Sequence, residues 1–187
     1  MITKTSVLKH VTDIHEWKKL GEANIFPPES HLELINGEIL EMAPIGFNHA
    51  GHVTRLMNYF GPLLADKAIM TAQNPIQLGD LSEPEPDFML LRPEKDFYTQ
   101  RHPTAEDVLL LVEVADSSLD YDQTIKQSLY ARYNIVEYWV LNLNDSCLEV
   151  YREPKDSLYQ KKDTLHKGDE ITLSLLKSLK IKVGEIL

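Results

Sequence analysis

The run Val108-Leu109-Leu110-Leu111-Val112-Glu113-Val114 constrains this chain more than any other stretch. A short, nearly continuous apolar segment bounded by polar residues reads as a strand buried on both faces. Such a strand occupies the middle of a sheet covered by helices. Glu113 interrupts it. Burying a carboxylate without a partner costs on the order of several kcal/mol, so it is normally paired, protonated or given a metal.

The flanking sequence supplies the rest of that sheet. Val7, Val11, Ile14 and Leu20 recur at near-helical spacing before Gly21, which predicts a helix over residues 5–20. The segment HLELINGEILEMA alternates about Asn36-Gly37, a dipeptide suited to the two positive-φ positions of a tight hairpin turn. From Asn48, the positions His49, His52, Val53, Leu56, Met57 and Phe60 define one face of a helix running to about Asp66, with Pro62 in its last turn. Strands are predicted near 68–79 and 87–92, then a polar loop from Pro93 to about Glu106, the buried strand at 108–114, and a helix over 121–133. Paired strands follow at 137–143 and 147–152 across Asn144-Asp145, and two or three short strands fill the last 30 residues. No repeat or linker breaks this order, so one domain over 1–187 is expected. Its class is α/β (α+β), a mixed central β-sheet flanked by helices.

Composition narrows the function. The chain has 187 residues, 43% hydrophobic and 26% charged, enough for one ordinary core. No apolar run approaches the roughly 18 residues of a membrane span, and the charged N-terminal stretch lacks a signal peptide's apolar segment. A cytoplasmic protein without membrane contact is expected. Cys147, the single cysteine, excludes an internal disulfide and reads as a small buried residue. The net charge of −10 argues against a general DNA-coating protein, whose task rests on neutralising phosphates. The charge is uneven: residues 1–151 carry 11 Lys or Arg against 23 Asp or Glu, and residues 152–187 carry 8 against 6, so the balance moves from −12 to +2. The basic tail is either a phosphate-facing strip or a solvated edge whose lysines discourage aggregation.

Glu113 has two candidate partners. In Glu83-Pro84-Glu85-Pro86-Asp87-Phe88 a proline-stiffened entry leads into an apolar strand, and neighbouring strands ending in Asp87 and Glu113 would bring two carboxylates within reach of one hard cation. Thirteen residues beyond Glu113, Lys126 sits on the second turn of the next helix, whose side chains lean back toward the loop leaving the Glu113 strand. Beside Ile125, on the flank of a stripe of Ile125, Leu129 and Tyr133, Lys126 is expected to skirt the core without being buried in it. Each residue also has an ordinary reading. Asp87 serves equally as a strand-entry carboxylate and Glu113 as half of a buried ion pair with Lys126, while Asp122 and Tyr130, at i−4 and i+4 from Lys126, would either steady it or take it as an ordinary surface pair. His49 and His52 fit a hydrogen-bonded core. The aromatic run Tyr130, Tyr133, Tyr138, Trp139 reads as packing in preference to a base-stacking platform.

EPEPDFMLL followed by LLLVEVADSSLDYDQTIKQSLYARYNIVEYWVLNL resembles the signature of the restriction-endonuclease-like Uma-two family, within the PD-(D/E)xK nuclease superfamily. The resemblance extends from HLELINGEI to about Tyr151. In the superfamily a Lys follows the acidic residue by two positions on the same strand; here that position is Ala115, and the Uma-two pattern places the working Lys on the following helix, at Lys126. The resemblance implies a metal-dependent endonuclease hydrolysing DNA phosphodiester bonds, with RNA as the other possible substrate. Asp87, Glu113 and the Val114 carbonyl would bind Mg2+ or Mn2+, and Lys126 would orient the attacking water. Glu33 matches the acidic residue of the family's ELI-x-G element and would add a ligand or base, although its place in a hairpin also suits an exposed strand side. His49 matches the His of the Gly-Phe-x-His-Ala segment.

Two other functions compete. One is a catalytically inactive nucleic-acid- or protein-binding module in which a Glu113–Lys126 ion pair replaces the metal. The other takes Asp87 and Glu113 as an acid and base for hydrolysing a sugar or ester, a reaction indifferent to EDTA. For the nuclease, a homodimer would build a groove from two basic tails.

Overall fold

The computed structural model of the chain describes residues 8–187. They divide into two compact units, one of the residues up to Pro44 with Leu78–Pro84, the other of Ile45–Gln77 with Glu85–Leu187.

The first unit holds helix α1 (Ile14–Glu22) and a hairpin of β1 (Leu32–Ile35) and β2 (Glu38–Glu41). α1 starts later than the apolar spacing predicts, because the Asp13 carboxylate accepts the Glu16 N–H at 2.8 Å and caps the helix there. Val11 is left outside the helix and 46% exposed, Gly21 falls inside its last turn, and Val7 lies outside the described residues. The hairpin forms as expected. Leu32 pairs with Glu41 and Ile35 with Glu38, and the turn residues Asn36 and Gly37 adopt φ of 52° and 78°. A Cβ on Gly37 would lie 2.2 Å from Val11 Cγ1, so Gly37→Ala is expected to cost about 1–3 kcal/mol through both that clash and the positive φ, measured by denaturant unfolding. The segment 78–84 is tied to the hairpin: Glu83 N–H donates to the Leu34 carbonyl at 2.7 Å, and the Asn36 N–H to Ser82 Oγ at 2.9 Å. Trp17 Nε1 donates to Glu83 Oε1 at 2.9 Å.

The second unit is built on a six-stranded mixed sheet. Its strands are β3 (Ile69–Thr71), β4 (Phe88–Leu91), β5 (Val108–Ala115), β6 (Glu137–Asn142), β7 (Cys147–Lys155) and β8 (Leu158–Leu165), and they lie side by side in chain order. Only β5 and β6 run parallel. β5 therefore lies inside the sheet, with all eight residues buried, as its composition requires. The strand expected over 68–79 is confined to Ile69–Thr71, since Gln73 turns to a φ of 52° and Pro75 has no N–H for a ladder. A short pair, β9 (Glu170–Thr172) and β10 (Lys180–Lys182), closes the chain.

The two faces of this sheet are different in kind. Leu110, Val112 and Val114 of β5, with Trp139, Leu141, Leu148 and Val150, join an apolar core under helix α2 (Phe47–Leu64), which contributes Val53, Leu56, Phe60 and Leu64. Ile171, Ile181 and Ile186 of the terminal segment complete it. The register sets Glu113 opposite Val140, and Val140 opposite Glu149, on the alternate face. Over this face lies a helical segment in three parts: α3 (Leu119–Tyr121), a wide π-type turn (Asp122–Lys126) and α4 (Gln127–Arg132). Tyr130 and Tyr138 pack edge to face at 5.0 Å, and Tyr138 and Tyr151 stack at 5.5 Å. Tyr130, Tyr138 and Trp139 of the aromatic run are therefore buried packing, and Cys147 is buried at 3% exposure. Among the described residues no helix is long and apolar enough to cross a membrane.

Two features fix the sheet and its charge. Buried Glu137 accepts from Trp139 Nε1 at 2.8 Å, Arg152 Nη2 at 2.6 Å and the Ser174 N–H at 2.6 Å, joining β6 to β7 and to the terminal segment. Glu137→Ala removes the buried acceptor shared by Trp139, Arg152 and Ser174 and is expected to cost about 3 kcal/mol in denaturant unfolding, with the Arg152 charge still held by the Thr172 carbonyl. In the basic tail, Lys161, Lys162 and Lys180 pair with Glu153, Glu149 and Glu170, which spends much of its positive charge on partners within the unit. That pairing favours the solvated-edge reading.

Candidate active site

The antiparallel register of β4 and β5 pairs Phe88 with Val112, and one step beyond it sets Asp87 opposite Glu113. The two carboxylates hold each other's strands. Asp87 Oδ2 accepts the Val114 N–H at 2.8 Å, and Glu113 Oε2 accepts the Asp87 N–H at 3.2 Å. Proline at 84 and 86 stiffens the approach to Asp87, while strand alternation alone turns Glu113 away from the apolar core and onto the polar face.

Glu113, 2% exposed, receives Lys126 Nζ at 3.1 Å and the Tyr130 hydroxyl at 2.6 Å, both on Oε1. Lys126 is itself only 3% exposed, contrary to the expectation that it skirts the core, while its neighbour Ile125 is 45% exposed. The inward face of α4 is centred between Leu129 and Tyr130, not on a stripe of Ile125, Leu129 and Tyr133. One helical turn before Tyr130 that face carries Lys126. The reason is electrostatic: the buried Glu113 carboxylate needs donors, and the helix presents an ammonium and a phenol to it in place of an isoleucine. The sequence offers Tyr130 as a residue that steadies Lys126 or as packing, not as a donor to Glu113. Its i+4 spacing from a lysine that must reach a carboxylate was the available signal.

His49, on the first turn of α2, donates from Nε2 to Asp87 Oδ2 at 2.9 Å. That bond raises the imidazole pKa above its usual value, aided by the charges of Asp87, Asp122 and Asp116 and opposed by partial burial. Its Nδ1 is shielded from solvent and meets no partner among the described residues. His52 instead bonds the Asn48 carbonyl of its own helix at 2.9 Å, a structural role. Asp87, Glu113, Lys126 and His49 thus converge with the Val114 backbone. Glu33 lies in the other unit, buried on β1 opposite Leu40.

The donor set suits a hard divalent cation. Asp87 Oδ2 is taken by His49 and Val114, while Asp87 Oδ1 receives no hydrogen bond among the described residues and belongs to a side chain 15% exposed. Two adjacent carboxylates, one with an open oxygen, match the one or two carboxylates with which Mg2+ is usually held beside water and substrate oxygens. Among the described residues no three His, Cys, Asp or Glu side chains are grouped to hold a metal, so such an ion would depend on those additional oxygens.

Over residues 12–184 the sequence matches the Uma2 family, described as "Putative restriction endonuclease". No curated protein matches it. The fold is similar to that of a crystal structure described as a putative nuclease belonging to DUF820 from Anabaena variabilis, with a TM-score of 0.69 and 14% identity, covering 89% of this chain and 96% of that one.

Proposed function

From the premise that the chain belongs to the Uma2 family of putative restriction endonucleases, we propose that it is a metal-dependent endonuclease that hydrolyses DNA phosphodiester bonds. The observation that carries this reading is the meeting of Asp87, Glu113 and Lys126 at the ends of two adjoining strands. Asp87 and Glu113 would hold Mg2+ or Mn2+, with the Val114 carbonyl as a further ligand. The bound cation would supply charge at the scissile phosphate and acidify the attacking water. His49 keeps Asp87 Oδ2 engaged, which leaves Oδ1 as the oxygen that would meet the cation. Tyr130 fixes Glu113 Oε1, and Lys126 offers N–H donors and a positive charge where negative charge grows in the transition state. A homodimer is the proposed working assembly, which light scattering at micromolar concentration would reveal as twice the chain mass.

The metal part of the reading is tested by melting. Mg2+ or Mn2+ should raise Tm in the wild type and leave Asp87→Asn unchanged; the absence of any metal response at neutral pH contradicts it. Duplex DNA and RNA oligonucleotides incubated side by side identify the strand that is cut, and an excess of EDTA should abolish cutting.

The direct 3.1 Å contact between Lys126 and Glu113 favours a second reading. In it the pair closes the acidic pocket permanently, and the fold serves as a binding module for nucleic acid or protein.

A further inference from the structure

Lys126 ends a turn that is held to the sheet away from the acidic cluster. The π-type turn Asp122–Lys126 is an uncommon helical form, closed here by the Gln127 N–H reaching the Asp122 carbonyl. That carbonyl also accepts the Tyr138 hydroxyl at 3.0 Å. One residue on, Gln123 Nε2 reaches both oxygens of Glu149, at 2.8 and 3.0 Å. Glu149 is 6% exposed and is held in turn by the Tyr151 hydroxyl at 2.6 Å and Lys162 Nζ at 2.9 Å. It lies two strands from Glu113 on the same sheet face, about 10 Å away at normal strand spacing. Burial alone would raise its pKa, but the bonds from Tyr151, Lys162 and Gln123 outweigh this and keep it below the usual carboxylate value, so it is charged at neutral pH.

We propose that Gln123 and Glu149 form a latch that holds the wide turn open and so positions Lys126 against Glu113. The structural part of this stands alone, whereas its consequence for cleavage rests on the nuclease reading above. A turn freed of the latch relaxes toward the ordinary i→i+4 ladder, which accommodates one residue fewer and displaces Lys126 by about one residue's rise, roughly 1.5 Å. A displacement of that size is enough to lengthen the 3.1 Å contact beyond hydrogen-bond range. Gln123 and Glu149 are positioning residues; neither touches the acidic cluster in the hydrogen bonds they make.

The test compares Gln123→Leu, which removes the amide, with Gln123→Lys, whose ammonium reaches Glu149 and restores the latch. In 15N-lysine-labelled protein the buried Lys126 ammonium should give a slowly exchanging resonance, identified by its loss in Lys126→Ala. That resonance should vanish or shift in Gln123→Leu and return in Gln123→Lys, while Cys147 stays unreactive toward a thiol reagent. An unchanged resonance in Gln123→Leu overturns the latch. So does simultaneous loss of the resonance and exposure of Cys147, because the contact then braces the whole sheet. For cleavage, kcat should fall about 10- to 100-fold in Gln123→Leu with KM within about twofold, and recover in Gln123→Lys. If the resonance behaves as described and the wild type cuts nothing, the latch holds and the nuclease reading fails.

Discussion

Asp87→Asn should lower single-turnover cleavage of a DNA duplex by about a thousandfold or more while leaving the protein folded. Asparagine keeps the size of the side chain and one oxygen, so it can still accept the Val114 N–H that now reaches Asp87 Oδ2 at 2.8 Å and hold β4 against β5. What disappears is the negative charge and the oxygen that receives no hydrogen bond within the described residues. In the proposed site a divalent cation would lose the more accessible of two carboxylates, and a circular dichroism spectrum equal to that of wild type would assign the loss to chemistry. A decrease of less than about tenfold would place the reaction away from Asp87.

Lys126→Ala separates the two readings. Removing the ammonium leaves Glu113 buried with a charge that Tyr130 and the Asp87 N–H only partly compensate. Breaking a buried pair in this way costs about 3–5 kcal/mol. In the nuclease reading that cost should appear in the metal-free protein and shrink when Mg2+ or Mn2+ is added, because the cation replaces the lost positive charge. Cleavage should remain at least about a hundredfold down even with metal saturating, since the charge next to the reacting phosphate is gone. In the module reading the loss of stability persists whatever metal is added. Denaturant unfolding with and without Mn2+ measures the difference.

The sheet was legible because β5 carries its own address. A nearly continuous apolar run belongs inside a sheet, and Asn36-Gly37 dictates its own turn. The convergence of Asp87 and Glu113 was also readable, since each lies at the end of an apolar strand that needs a neighbour. The orientation of Lys126 was not. Apolar periodicity assigns the inward face by counting hydrophobic residues, and Leu129 serves equally in a stripe with Ile125 or in one with Tyr130. Only the demand of Glu113 for donors decides between them, and that demand comes from a strand thirteen residues away in sequence. The late start of α1 has a similar origin: Val11 fits the helical spacing, but the Asp13 carboxylate closes the first turn after it. The wide turn at Asp122–Lys126 left no composition signal, because it depends on Tyr138 and Glu149 across the sheet.

Supercoiled plasmid incubated with Mn2+ decides whether phosphodiester bonds are hydrolysed at Asp87, Glu113 and Lys126 as proposed. Wild-type protein should convert the plasmid to nicked and linear forms, with no conversion by Asp87→Asn or Lys126→Ala or in the presence of EDTA. A plasmid left supercoiled by the wild type, or cut equally well by Asp87→Asn, contradicts it.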